Sequence, residues 1–272
     1  MIPIFVINLE RESKKRVRIT SQLEKLGLSF TLVKAIEGKS LSEKEIDGVY
    51  SSQNAIQIFK RELSLGEIGC ALSHLSVYRK MVENEISIAL ILEDDVTLCS
   101  ELPDILSHVD LLPEECDALL LGYDADIKRD LFLYTSFWQN KRFFGKYRIA
   151  PYVKVALGTY GYILRLEGAK KLLKAIQKIE KPIDHYTGSW KYLHVQCLYP
   201  RCVSIAEHGL NESEIDSERR ELKKVLHTTR YNHWITRWLN RFRLGFRLLI
   251  LKVLPLGIAR RYASHIFRNR RV

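Results

Sequence analysis

Long apolar runs are missing from this chain, and with them the mark of a membrane-spanning helix. No stretch approaches the ~18 consecutive apolar residues that such a helix requires. Lys252 and Pro255 interrupt the best candidate, near the C-terminal end. No secretory leader is expected either. The apolar run at residues 2–9 is short, has no basic region ahead of it and already contains Asn8, so the protein is expected to stay on the cytoplasmic side. Cysteine is sparse, at five residues, and no two form a CxxC pair. With no second cluster at zinc-finger spacing, Cys70, Cys99, Cys116, Cys197 and Cys202 are expected as reduced thiols. Internal repeats and low-complexity tracts are also absent, which excludes repeat architectures.

Acidic residues are missing from one region only. Residues 222–272 hold thirteen Lys or Arg and no Asp or Glu, whereas residues 1–221 hold thirty basic and thirty-two acidic residues, a net −2. The overall charge of +11 therefore belongs to the C-terminal region. A near-neutral body with one basic segment argues against a nucleic-acid-coated protein and for a single segment that meets an anionic surface. What remains is ordinary: 272 residues, 46% hydrophobic and 28% charged, enough for one α/β domain and an appendage.

The pattern opens β–α–β. Residues 2–9 form a buried strand, apolar Val17, Ile19, Leu23 and Leu26 follow near helical spacing, Gly27 closes that helix, and residues 30–36 return as a second strand. A parallel sheet is the expected result. Ile68, Leu72, Leu75 and Val82 place a helix over 65–82, with Glu67 and His74 together on its flank. Further strands are expected at 86–92, 118–121 and 158–164, and a helix at 168–179. Residues 124–157 are basic, aromatic and irregular; they include Trp138 and Tyr152, rings that suit stacking on the apolar face of a ligand. A packed lid is the alternative for that segment.

The strongest local feature is Glu93-Asp94-Asp95 at the end of an apolar strand. Adjacent carboxylates at a strand's carboxyl edge repel one another, and a divalent cation relieves that cost. Mg²⁺ and Mn²⁺ take oxygen ligands, commonly one or two carboxylates plus substrate phosphates. Strand alternation would send Glu93 and Asp95 to one face and Asp94 to the other, giving Asp95 to the metal and Glu93 to metal or donor hydroxyls. Gly66 and Gly69 near a helix start permit close backbone approach, with Glu67, Ser73 and His74 as polar neighbours.

Several strings then fall in a recognisable order. They are Val6-Ile7-Asn8-Leu9 with Arg16 following, Ala35-Ile36-Glu37-Gly38, the stretch from Gly66 to His74, and Leu92 to Val96. Gly158 to Tyr162, Pro182-Ile183-Asp184 and Ser213-Glu214-Ile215 complete the series. In this respect the chain resembles glycosyltransferase family 25, the bacterial lipooligosaccharide galactosyltransferases and their relatives among collagen-modifying enzymes. The resemblance implies a GT-A-like α/β fold, with a Rossmann-like, mostly parallel sheet flanked by helices. It also implies a UDP-sugar donor, most often UDP-galactose, transferred with inversion. On that resemblance, Asn8, Arg16, Glu37, Glu67, His74, Glu93 and Asp94 face the donor, and Asp95, Glu93 and His208 hold Mn²⁺ or Mg²⁺. Asp184 is the expected base. The family often has Asp where Glu93 stands, and a Gln–His pair where this chain has Glu207-His208.

The expected organisation is a catalytic domain over 1–216 and a basic amphipathic helical tail over 217–272. In the tail Trp234, Trp238, Phe242 and Phe246 recur every four residues, and Arg243 and Arg247 fall away from that stripe. Such a helix lies in the interface of an anionic membrane, here the cytoplasmic face of the inner membrane. Packing on the body, or an oligomer contact, is the alternative. The expected reaction moves a hexose to a lipid-linked oligosaccharide, with UDP-glucose or a UDP-N-acetylhexosamine as alternative donors. A non-enzymatic basic adaptor is the rival of another class, and would leave the carboxylate cluster without purpose.

Overall fold

The computed structural model describes residues 2–124, 141–151 and 155–206. Its first unit is β1 (Ile4–Asn8), α1 (Ser13–Lys25) and β2 (Thr31–Lys34). A single 3-10 turn at Gly38–Ser40 leads through α2 (Glu43–Val49) and α3 (Ser52–Phe59) to the long α4 (Leu65–Glu83). Then come β3 (Ile88–Glu93), β4 (Val96–Leu98), α5 (Leu102–Ser107) and β5 (Ala118–Asp124). The chain continues with β6 (Lys141–Phe144), β7 (Tyr147–Pro151), β8 (Leu157–Arg165), α6 (Leu166–Ala175), α7 (Asp184–Thr187), β9 (Val195–Tyr199) and β10 (Val203–Ile205).

Eight strands form one sheet in the order β2-β1-β3-β8-β5-β9-β7-β6. Strands β2, β1 and β3 are mutually parallel, β8 runs against both β3 and β5, and β7 runs against both β9 and β6. With β5 parallel to β9, six of the eight strands point one way. This is the expected Rossmann-like, mostly parallel sheet, with β8 and β7 as its reversed members.

The apolar run of β3 follows from its place at the centre. Ala89 and Ile91 face the layer built by α4 and α6, while Leu90 and Leu92 face the layer of α1 and α5. A strand covered on both faces must be apolar at every position. Burial of each such Leu or Ile contributes roughly 1.5–3 kcal/mol. Helix α4 differs from its expected one-faced pattern because it is buried on nearly every side, Glu67, Ser73 and His74 included. Polar groups on so buried a helix need partners within the protein.

Three expectations change here. Residues 141–151 are a β-hairpin rather than irregular chain, its strands joined by Gly145-Lys146 with Gly145 at φ +50°. Such a two-residue connection favours glycine because its backbone turns left-handed. Cys99 and Cys202 form a disulfide across 103 residues, so they are not reduced thiols. That bond clasps β4 to the segment entering β10, where the two strands pair antiparallel. Finally, Gly69 near the start of α4 admits the protein's own backbone: a Cβ there would meet the Ile36 carbonyl oxygen at 2.5 Å, and one on Gly38 the Leu65 carbonyl oxygen at 1.7 Å, whereas Gly66 lines the cleft described below. Among the described residues no helix is long and apolar enough to cross a membrane.

Candidate active site

A cleft opens at the carboxyl ends of β1, β2 and β3, where open α/β sheets bind their ligands. It encloses about 880 Å³ including its mouth. Glu93, Asp94 and Asp95 line one side, and Cys70, Ser73 and His74 of α4 line another. Residues just beyond β1 and β2 complete it, among them Arg11, Lys15, Glu37 and Lys39.

The acidic triplet is not extended throughout. Strand β3 ends at Glu93, and Asp94-Asp95 form the turn into β4. Strand alternation therefore does not sort the three carboxylates as expected; the turn brings all three to the cleft. Asp94 is the most buried of them, and its Oδ2 accepts a 2.6 Å hydrogen bond from Asn8 Nδ2. Burial raises the Asp94 pKa, and that hydrogen bond holds it back. For Asp95, burial first and then the charges of Glu93 and Asp94 push the pKa up to about 7. A carboxylate so destabilised in its charged form is a fitting partner for a cation. Glu93 and Asp95 supply the hard oxygen donors that Mg²⁺ and Mn²⁺ prefer, so the residues present fit such an ion.

His74 is fully buried, with Nε2 3.4 Å from Glu93 Oε1 and Nδ1 2.8 Å from the Tyr162 hydroxyl. Arg11 and Glu37, both lining the cleft, pair at 3.0 Å.

Asn8 does not line the cleft; it is buried behind the triplet and positions Asp94. Arg16 does not line it either, and Lys15, one residue earlier on α1, does. Glu67 also differs from expectation. It closes the capping box of α4 with Ser64 and takes a bidentate pair from Arg61, at 2.7 and 2.8 Å, so the fold occupies both its oxygens. Asp184 opens α7, and its Oδ2 accepts from the Gly158 backbone N–H at 3.1 Å. Since Gly161 pairs with Leu92 in antiparallel register, Gly158 extends past the end of β3, and Asp184 lies at the same sheet edge as the acidic turn. Its Oδ1 is buried without a hydrogen-bond partner among the described residues. His208, Trp138, Tyr152, Trp234, Trp238, Phe242, Phe246, Arg243 and Arg247 lie outside the described residues.

The cleft's cations, Arg11, Lys15 and Lys39, were not singled out by the sequence. Their signal was position alone: Arg11 and Lys15 stand four apart just after the first strand, and Lys39 just after the second. Arg11 and Lys15 also pair with Glu12, so the lining mixes cations with carboxylates. Such a mixture suits a ligand that is anionic and carries a divalent cation.

The sequence profile described as glycosyltransferase family 25 (LPS biosynthesis protein) matches residues 1–187. Among similar curated proteins, a glycosyltransferase 25 family member of Anopheles gambiae is 30% identical over 205 residues, 67% of this chain and 30% of that protein. One from Aedes aegypti is 29% identical, again over 67% of this chain and 30% of its own length. Procollagen galactosyltransferase 2 of Homo sapiens is 27% identical over 63% of this chain and 27% of its own. The chain thus spans less than a third of the length of these relatives. With its profile match running from β1 through the acidic turn to α7, the chain belongs to glycosyltransferase family 25.

Proposed function

We propose that this protein is an inverting, metal-dependent glycosyltransferase that moves galactose from UDP-galactose to a sugar of a lipid-linked oligosaccharide of the lipooligosaccharide or lipopolysaccharide type. The observation that carries the reading is the convergence of Glu93, Asp94 and Asp95 on one cleft that Arg11, Lys15 and Lys39 also line. Family membership supports the transfer, and the similarity to a procollagen galactosyltransferase supports the donor.

Glu93 and Asp95 would hold Mn²⁺ or Mg²⁺, which supplies neutralising charge to the departing diphosphate when bound. Arg11, Lys15 and Lys39, which line the same cleft, would add charge to that group. Asn8 keeps Asp94 turned into the acidic corner. Asp184, held at the sheet edge beside the cleft by the Gly158 N–H, would act as base: the acceptor hydroxyl gives its proton to this carboxylate while its own oxygen bonds the anomeric carbon. The bond from that carbon to the diphosphate breaks on the opposite face, and UDP leaves with the electron pair. One displacement inverts the configuration. His208 as a further cation ligand, and Trp138 and Tyr152 as acceptor contacts, belong to the same reading.

The test is a donor screen over UDP-galactose, UDP-glucose and UDP-N-acetylhexosamines with Mn²⁺ and lipooligosaccharide acceptors, followed by linkage analysis. UDP-galactose is expected to give the highest rate, and Asp95→Ala and Asp184→Ala to lose at least ~100-fold, the scale of general-base catalysis. Near wild-type rates from both variants with added metal would overturn the assignment.

A further inference from the structure

Cys70 and His74 are four residues apart on α4, so their side chains emerge one turn apart on the same flank. Glu93, at the end of β3, meets that flank. The Cys70 sulfur, a ring nitrogen of His74 and a carboxylate oxygen of Glu93 all lie within 4.8 Å of one another. The 3.4 Å between His74 Nε2 and Glu93 Oε1 matches the edge of a tetrahedron built on metal–ligand bonds of about 2.0–2.1 Å. Cys70 is outside the one disulfide and lines the cleft, so its thiol has a route to solvent.

The surroundings also hold the imidazole ready. His74 Nδ1 lies 2.8 Å from the Tyr162 hydroxyl, which lies 2.6 Å from the Tyr78 hydroxyl, and both tyrosines are fully buried. When Nδ1–H donates to Tyr162 and Tyr162 donates to Tyr78, the Nε2 lone pair faces Glu93. A ligating histidine is almost always oriented by such a bond from its other nitrogen.

We propose that Cys70, His74 and Glu93 form a binding site for a borderline-soft divalent cation, Zn²⁺, beside the all-oxygen corner at Asp95. The thiolate and imidazole select Zn²⁺ over Mg²⁺ or Mn²⁺, which favour oxygen ligands. Binding replaces the S–H bond of Cys70 by a metal–sulfur bond, and the proton passes to solvent. Three protein ligands leave a fourth position open toward the cleft. Glu93 is shared by the two corners, so Zn²⁺ competes for it with the donor's own cation. That competition rests on the donor reading above; the binding itself does not.

Cobalt serves as the probe. The full chain, without donor, is titrated with Co²⁺ and the thiolate-to-cobalt charge-transfer band is followed in the near ultraviolet. One band per chain is expected, lost when Zn²⁺ is added. Cys70→Ser should abolish it with an unchanged far-ultraviolet circular dichroism spectrum, while Cys116→Ala and Cys197→Ala retain it. Tyr162→Phe should keep the band but weaken binding by about 10–100-fold, as loss of a partner to a ligating histidine does. No band in the wild type, or a band that survives Cys70→Ser, overturns the proposal. Inhibition of transfer by Zn²⁺, relieved in Cys70→Ser, is read separately. Absence of transfer from every donor would sink the functional reading and leave the cobalt result standing.

Discussion

Glu67 illustrates how a polar residue inside a family motif can belong to the fold. Its side chain is buried and holds Arg61 through two short hydrogen bonds. Removal of the cation leaves a buried carboxylate uncompensated, which costs about 3–5 kcal/mol. Arg61→Ala is therefore expected to lower the unfolding free energy by that much, measured by denaturant titration; a loss under about 1 kcal/mol would contradict it. At this scale the sequence was legible where chemistry is concentrated and illegible where geometry decides. Three adjacent carboxylates after an apolar run announce a cation site on charge repulsion alone. Whether Asn8 faces a ligand or a neighbouring aspartate depends on an hydrogen bond across 86 residues, and no local pattern encodes that. Arg16 and Lys15 are equally cationic, and only the rotation of α1 about its axis puts Lys15 in the cleft.

The elements that build the site meet at unusually short range. Gly38 of the 3-10 turn and Gly69 of α4 let two backbones touch, and this contact positions the wall that carries Glu37 and Lys39. A Cβ on Gly38 would fall 1.7 Å from the Leu65 carbonyl oxygen, and backbone cannot yield as a side-chain tip can. Gly38→Ala is expected to cost about 3 kcal/mol or more, the upper range for overpacking, and to lower the thermal midpoint in scanning calorimetry. An unchanged midpoint would show that the turn relaxes freely. Strands β1 and β3 were legible because burial on both faces demands continuous apolar residues. Strands β6 and β7 were not, since their basic and aromatic residues resemble a loop; Gly145 between Phe144 and Tyr147 was the available turn signal.

For the molecule as a whole, one long-range feature lies beyond any reading of local sequence. The Cys99–Cys202 bond spans 103 residues, and closure of a loop of that size contributes roughly 2–5 kcal/mol to native cystine proteins. A double Cys99→Ser, Cys202→Ser variant is expected to lose that much, and thiol titration of the unfolded, unreduced wild type should count three free thiols of five. Five free thiols would remove the bond from the account. Charge distribution, by contrast, is plain in the sequence, because thirteen basic residues without an acid need no structure to be noticed. The sequence expectation is that the 217–272 segment would dock on anionic membrane through Trp234, Trp238, Phe242 and Phe246. Flotation with phosphatidylglycerol-containing vesicles is expected to recover the full chain and to lose a variant lacking residues 222–272. Equal recovery of both would place membrane affinity elsewhere.

The position of β8 bears on how the chain is made. Strands β3 and β5 leave the ribosome well before the strand that lies between them, and their facing edges stay open until residue 165 has been synthesised. A nascent chain shorter than this carries two unpaired, largely apolar strand edges, the kind of surface that recruits chaperones or aggregates. Residues 1–124 contain every cleft residue named above, yet they lack the strand that joins β3 to β5. In the proposed role, firm donor binding is therefore expected only after β8 has been translated.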